Sequence, residues 1–522
     1  MTETMWYIII FGFYVLFLIW TNVKSLKAVE SLDDFTTGGH RMGLLLGIGT
    51  TAATWVSVAS VIGVPGYLYS SGVAAIIGWV AGWAFGGALI PIVAYKIRRP
   101  ETPARTFPEF IRFRFEPFMK KSSLQAIVGI LMLLGYLLLV NIQIIGFGIV
   151  FSTITGIDYK IAIFAFLLFI LLTSFGGFWS VAATDTLNTI LIMIGVILTC
   201  GVVLSVTGGM DNIVETLSTT TAPTYVGGPS LEEGILLSPL GTFGLATLFS
   251  IFISNSLGTP SSPHWVARML APKNIKVAIL QIMGTIVVLI FIMGPLIVIG
   301  LGSKVLIPSI PAGKTTDYIV PLIIQEYTPA IIGAITLVAI CAAAISTANS
   351  MLLHCATSLY YDVYLNIFPK RISDKGFKNW LRASIFGIAI IAVLLAIKPP
   401  WFLAMGFVYI YGGFGAAFFW VVFLGLYWKR MNRAGAYAGI IIGAVVYVIA
   451  KTIGLPLPFV ISVSTSLIGV LLAVYLTKKP PLEAYEPYFN AEISDSTRKV
   501  FEDIRNDSDE ETDDPDYGEA AK

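Results

Sequence analysis

Apolar runs long enough to cross a bilayer recur along most of this chain, near 5–22, 44–71, 73–97, 124–153, 160–177, 180–207, 239–262, 275–302, 329–357, 380–398, 401–427, 434–454 and 456–477. A bilayer core needs about 20 apolar residues per helix. The runs are continuous rather than alternating, which excludes a barrel. The expected fold class is therefore all-α and polytopic, with 13 transmembrane helices. Composition agrees: 56% of residues are hydrophobic and 12% charged, against roughly 25% charged in a soluble domain. The first run lacks a basic residue before it, so it reads as a retained span and not a cleavable signal.

Charge orients the bundle. Arg98, Arg99, Arg105, Arg112, Arg114, Lys120 and Lys121 crowd loop 98–123. Arg268 and Lys273, then Lys370, Arg371, Lys375 and Lys378, then Lys429, Arg430 and Arg433, then Lys478 and Lys479 follow in later loops. With thirteen spans all of these fall on one side. Loop 208–238 opposite them carries Asp211, Glu215, Glu232 and Glu233 and no Lys or Arg. The positive-inside rule then puts the chain in the cell membrane, N-terminus outside and C-terminus cytoplasmic. From 480 onward the sequence becomes acidic, most strongly over 507–516, and reads as a disordered cytoplasmic tail, regulatory or merely solvated.

Three polar features interrupt the apolar background. In the ninth run Ala343, Ser346, Thr347 and Ser350 stand at i, i+3, i+4 and i+7, one helical face, with Asn349 beside it. Oxygen-bearing side chains there suit a hard cation; they equally suit helix–helix glue and back-bonding. The second run carries Thr50, Thr51, Thr54 and Ser57, then Gly63, Pro65 and Gly66; the seventh carries Gly258, Pro260 and Pro263. Two interrupted hydrophobic segments five spans apart point to an inverted-repeat transporter with its site at the breaks. Asp185 is the one acid inside a core span, open to ion handling or to a structural hydrogen bond. Gly78, Gly82 and Gly86, four apart, predict close helix packing.

Other chemistries have no footing. Cys200, Cys341 and Cys355 lie in apolar runs and read as reduced packing residues. Neither they nor His40, His264 and His354 have metal-ligand spacing. No nucleophile–base pair or phosphate loop is present, so the chain is not expected to be an enzyme. The net charge of +2 says nothing about partners, and no nucleic-acid partner is expected. A channel would carry a filter repeat or charged ring; a sensor would carry a folded signalling domain after the last span.

Several stretches, in order, resemble the sodium:solute symporter family: GGHRMG at Gly38, GVPG at Gly63, TFPEF at Thr106, GGFWSVAATD at Gly176, PHWVARM at Pro263, AAAIST at Ala342 and GLYWKRMNRAGAYAG at Gly425. The resemblance spans about 5–477. It implies a five-plus-five inverted repeat with an extra first span. The divisions are then 1–43, the first repeat 44–207, an external loop 208–238, the second repeat 239–427, two further spans in 428–479 and the tail 480–522. It implies a Na⁺ site with carbonyl ligands at Ala53, Val56 and Ala343 and hydroxyls at Ser346 and Thr347. A second Na⁺ site, found in some members, would map to Asp185, Ser346, Asn349 and Ser350. Solute would bind among Thr54, Trp55, Ser57, Val140, Gln143, Asn255, Thr259 and Pro263. Trp55, Ser57 and the Pro263–His264–Arg268 pattern look most like the pantothenate and monocarboxylate branch. The implied function is Na⁺-coupled uptake of a small organic carboxylate by alternating access. Proton coupling, or an amino acid, sugar or urea as solute, is the alternative. No Lys or Arg is expected at mid-membrane, so a solute carboxylate would be met by helix-break amides or by His264.

Overall fold

In the computed structural model the described residues are 3–25, 32–100, 103–174, 177–224, 228–368, 374–398, 403–490 and 492–509. Gly176, Lys370, Arg371 and the acidic run from 510 lie outside them. Within them the chain is helical, and ten helices are long and apolar enough to cross a membrane. An eleventh is added when Leu44–Trp55 and Val58–Ser71, which meet at 63°, count as one broken span. The other two expected spans coincide with Tyr159–Ser174, apolar but only 16 residues, and Gly244–Ser261, whose polar C-terminal half dilutes its hydropathy.

The interior is built around Ala330–Thr357, buried along nearly its whole length from Gly333. Small side chains let several helices reach it, among them Gly177–Thr207, Ser123–Thr155, Glu3–Ser25 and the first half of the broken helix. A side chain added at Gly195 would run into the Ala339 methyl. The glycine stripe works the same way. Cβ atoms added at Gly78, Gly82 and Gly86 would meet Leu248 at 3.1 Å, Asn255 at 3.0 Å and the Ser256 carbonyl at 2.7 Å, all on Gly244–Ser261. Those three glycines let one helix lie against another.

Only one of the two breaks sits at an expected residue, Pro263. Gly63, Pro65 and Gly66 continue in a helix; the second span breaks earlier, at Val56 and Ser57, both extended. Pro65 is tolerated because it stands in the first turn, where its missing N–H costs nothing. In the seventh segment Gly258 and Pro260 remain helical, and the chain leaves the helix only at Ser262, restarting as Pro263–Leu270. The Ser262 amide turns to the Thr259 carbonyl, and the Ser262 hydroxyl donates to the Gly258 carbonyl at 2.9 Å in its place; the Ser261 hydroxyl donates to the Leu257 carbonyl, also at 2.9 Å.

The segment after 480 departs furthest from expectation. Leu482–Phe489 and Asp495–Asp509 are helices. Tyr488, Phe501 and Ile504 are buried in the main core. Tyr488 meets Phe110 edge-on at 5.6 Å, Phe501 lies 4.8 Å from Phe113, and Lys96 donates to the Tyr488 carbonyl at 3.0 Å. Acidic composition hid three spaced apolar anchors. Phe501→Ala should cost this docking about 3 kcal/mol. Limited trypsinolysis after Arg498 and Lys499 would then accelerate while the membrane core stays resistant; an unchanged cleavage rate would show that the anchor is dispensable.

Candidate functional site

At the break of the second span the helical ladder loses its partners one by one. In a continuous helix Ala53 and Val56 would receive the amides of Ser57 and Ser60. The Ser57 amide instead donates to Ser60 Oγ at 3.2 Å, and the Ser60 amide to the Ser57 carbonyl at 2.9 Å. The Val58 amide, which would have served Thr54, donates to Gln143 Oε1 at 3.1 Å. Carbonyls are thereby freed deep in the protein, beside the small-residue helix.

That helix answers them. Ser346 Oγ lies 3.1 Å from the Ala53 carbonyl and 3.1 Å from that of Ala343, so a hydroxyl and two carbonyls converge. The neighbouring Thr347 Oγ1 is buried and has no hydrogen-bond partner. A buried hydroxyl left unsatisfied costs about 1–3 kcal/mol. An oxygen cluster formed by Ser346 and the Ala53 and Ala343 carbonyls, with an unsatisfied hydroxyl beside it, is the kind of donor set that a dehydrated alkali cation satisfies.

Next to it stands a group that the sequence reading put in a loop. Arg268, on the helix that restarts at Pro263, is buried, so the expectation that the interior holds no Lys or Arg is corrected. One of its terminal nitrogens, Nη2, donates to Ser350 Oγ at 2.7 Å and Thr54 Oγ1 at 2.9 Å, and stands 3.4 Å from Asp185 Oδ2. Thr50 Oγ1 also donates to Asp185 Oδ2, at 2.6 Å, while Asp185 Oδ1 is unpartnered. Asn349 faces away from this group: its amide donates to Thr173 Oγ1 and its carbonyl accepts from Ser174 Oγ, both at 2.8 Å. Of the residues expected at a second ion site, then, Asp185 and Ser350 meet a guanidinium, Ser346 belongs to the first cluster, and Asn349 ties two helices. Arg268, Thr50, Thr173 and Ser174 went unnoticed as site residues. The available signal was Asp185 itself, because a buried carboxylate requires a cation.

The expected solute residues are scattered among structural roles. Thr54 belongs to the Arg268 network. Gln143 props the broken helix. Asn255 donates to the Gly78 carbonyl at 3.2 Å, and Thr259 to that of Asn255 at 2.6 Å. The Trp55 ring packs on Trp265 with centroids 4.4 Å apart. Ser57 Oγ is buried and unpaired. Val140 and Pro263 are buried. His264 bonds the Tyr411 hydroxyl at 2.7 Å through Nε2, and its Nδ1 has no partner.

Comparison with known proteins identifies the family and the fold. The profile of the sodium:solute symporter family matches residues 35–443. The chain belongs to the sodium:solute symporter family. It is 30% identical over 457 residues to a sodium/pantothenate symporter of Escherichia coli (strain K12), covering 84% of this chain and 90% of the relative. To an osmoregulated proline transporter of Bacillus subtilis (strain 168) it is 27% identical over 494 residues, 92% and 96% of the two chains. A substrate-bound, outward-open Na⁺-coupled sialic acid symporter shares the fold, with a TM-score of 0.73 at 20% identity over 92% of this chain and 99% of the other. This symporter is thus a multi-pass, Na⁺-using membrane transporter and not an enzyme, and its solute is a small molecule.

Proposed function

We propose that this symporter couples one Na⁺ to inward movement of a small organic carboxylate, with pantothenate or a monocarboxylate as the solute class. The support for the ion is the convergence of Ser346 Oγ on the Ala53 and Ala343 carbonyls beside the unpaired Thr347 hydroxyl. The Val56 carbonyl, left without its helical amide, completes the proposed set. The support for the solute class is the similarity to the sodium/pantothenate symporter. A second reading, an amino acid such as proline, rests on the Bacillus subtilis relative and keeps the carboxylate.

Coupling in this reading is mechanical. Na⁺ ties the freed end of the broken helix to Ala330–Thr357 and so favours the solute-ready state. The solute carboxylate competes with the Gln143 carbonyl for the Val58 amide, near the unpaired Ser57 hydroxyl, at the positive end of a short helix. The remaining proposed solute residues, Thr54, Trp55, Asn255 and Thr259, shape the surroundings. Arg268 fills the place of a second ion, so Asp185, Asn349 and Ser350 hold none in the resting cycle. Each Na⁺ then contributes roughly 2.3 kcal/mol per 100 mV of membrane potential. The two repeats, 44–207 and 239–427, rock about this site, with the basic loops on the cytoplasmic side.

A thermal-shift screen of the purified symporter tests the reading. Carboxylates should raise the midpoint in Na⁺ and not in choline, through linkage, and uptake should vanish when choline replaces Na⁺ under a maintained proton gradient. Full uptake in choline would favour proton coupling. Stabilisation by a neutral sugar or urea alone would overturn the carboxylate.

A further inference from the structure

A cavity of about 590 Å³ opens at the basic end of the molecule, between the start of the Arg433–Thr452 helix and the end of Pro458–Leu476, and is closed on its third side by residues 115–119. Both helices are candidate spans. Their ends therefore mark the level at which a bilayer gives way to its headgroups. Nothing in the transport cycle uses this cavity.

Its walls are mostly apolar, with Phe115, Phe118 and Pro480 among them, and its rim is basic. Phe118 and, at the end of Pro458–Leu476, Tyr475 and Leu476 are exposed, so apolar surface continues beyond the cavity. The one acid in the wall, Glu116, is already satisfied. Its Oε1 takes Arg433 Nε at 2.5 Å and the Tyr437 hydroxyl at 3.1 Å; its Oε2 takes the Ser122 hydroxyl at 2.5 Å and the Leu124 amide at 3.2 Å. With Arg433 balancing Glu116, Lys478 and Lys479 leave a net positive charge on the rim. The backbone at Lys478 is fixed in place: the Asn432 amide donates to Thr477 Oγ1 at 2.7 Å and to the Lys478 carbonyl at 2.8 Å.

We propose that this cavity binds an anionic glycerophospholipid. The phosphate sits against Lys478, Lys479 and the outer N–H groups of Arg433, and the acyl chains leave past Phe118 and Leu476. A soluble anion would use the charges and waste the apolar wall. A zwitterionic lipid would fill the wall and leave the lysines uncompensated. Only a lipid with net negative charge uses both halves. Two lysines near such a surface correspond to a preference of roughly thirtyfold.

Native mass spectrometry of the full chain in detergent, with phosphatidylglycerol or phosphatidylcholine of matched acyl chains, tests the site. One phosphatidylglycerol should be retained in preference to phosphatidylcholine, by roughly thirtyfold. The Lys478→Gln/Lys479→Gln double variant should lose that preference, whereas Lys273→Gln, outside the cavity, should keep it. Millimolar inorganic phosphate should not displace the lipid. Equal retention of the two lipids, or an unchanged preference in the double variant, overturns the proposal. Displacement by inorganic phosphate overturns it in favour of a soluble anion. If the double variant misfolds, Phe118→Glu, which places a negative charge in the cavity mouth, should also abolish the preference, and its failure to do so is equally decisive.

Discussion

Replacing Arg268 with Gln is expected to abolish Na⁺-driven uptake and to lower stability by about 3–5 kcal/mol in Na⁺-free buffer, the cost of leaving one member of a buried ion pair alone. Asp185 then faces Thr50 and a neutral amide, with Oδ1 still unpartnered. Because Asp185, Ser350 and Thr54 remain arranged around a vanished cation, added Na⁺ should recover part of the loss in Arg268→Gln. Its Na⁺ titration should also become steeper than the parent's. Asp185→Asn introduced together with Arg268→Gln removes both charges, and this double variant should regain most of the stability without the extra Na⁺ response. The readout is the thermal midpoint against Na⁺ concentration for the parent, the Arg268→Gln and Asp185→Asn single variants and the double variant, a double-mutant cycle. A parental midpoint in Arg268→Gln, or an unchanged Na⁺ response, would remove Arg268 from the role of built-in cation.

The same pair shows where a sequence stops being readable. Apolar runs announce helices because bilayer thickness fixes their length, and the Gly78–Gly82–Gly86 stripe announces a contact because its spacing is the helix repeat. Both are local signals. Arg268 and Asp185 are 83 residues apart. On charge alone Arg268, five residues after Pro263, reads as the first cation of a basic loop. Only the helical restart at Pro263 carries it inward. The break in the second span misled for a related reason. Glycine and proline attract attention, yet at Val56–Ser57 the helix ends because the Ser60 hydroxyl and the Gln143 side chain take amides that the ladder would have used. The Gln143 partner is 85 residues distant. Ala343, Ser346 and Thr347 were legible as a face, but whether that face is glue or ion site depends on the carbonyls opposite. Ser346 back-bonds to Ala343 and bridges to Ala53.

Thr347 separates those two meanings, because its hydroxyl has no protein partner. Thr347→Val keeps the branched shape and removes the unsatisfied oxygen. In Na⁺-free buffer the variant should be as stable as the parent or slightly more so, since a buried orphan hydroxyl is a cost. In Na⁺ it should lose stabilisation, and its half-maximal Na⁺ concentration for uptake should rise about tenfold for roughly 1.4 kcal/mol of lost ligation. Ser346→Ala should differ in kind. It removes a ligand and also the bridge between Ala53 and Ala343, so both Na⁺ affinity and Na⁺-free stability should fall, the latter by about 1 kcal/mol. A helix-glue role for this face predicts the opposite ordering, with stability changed and Na⁺ response intact. Thr347→Val with parental Na⁺ activation would therefore exclude Thr347 as a ligand, whatever Ser346→Ala does.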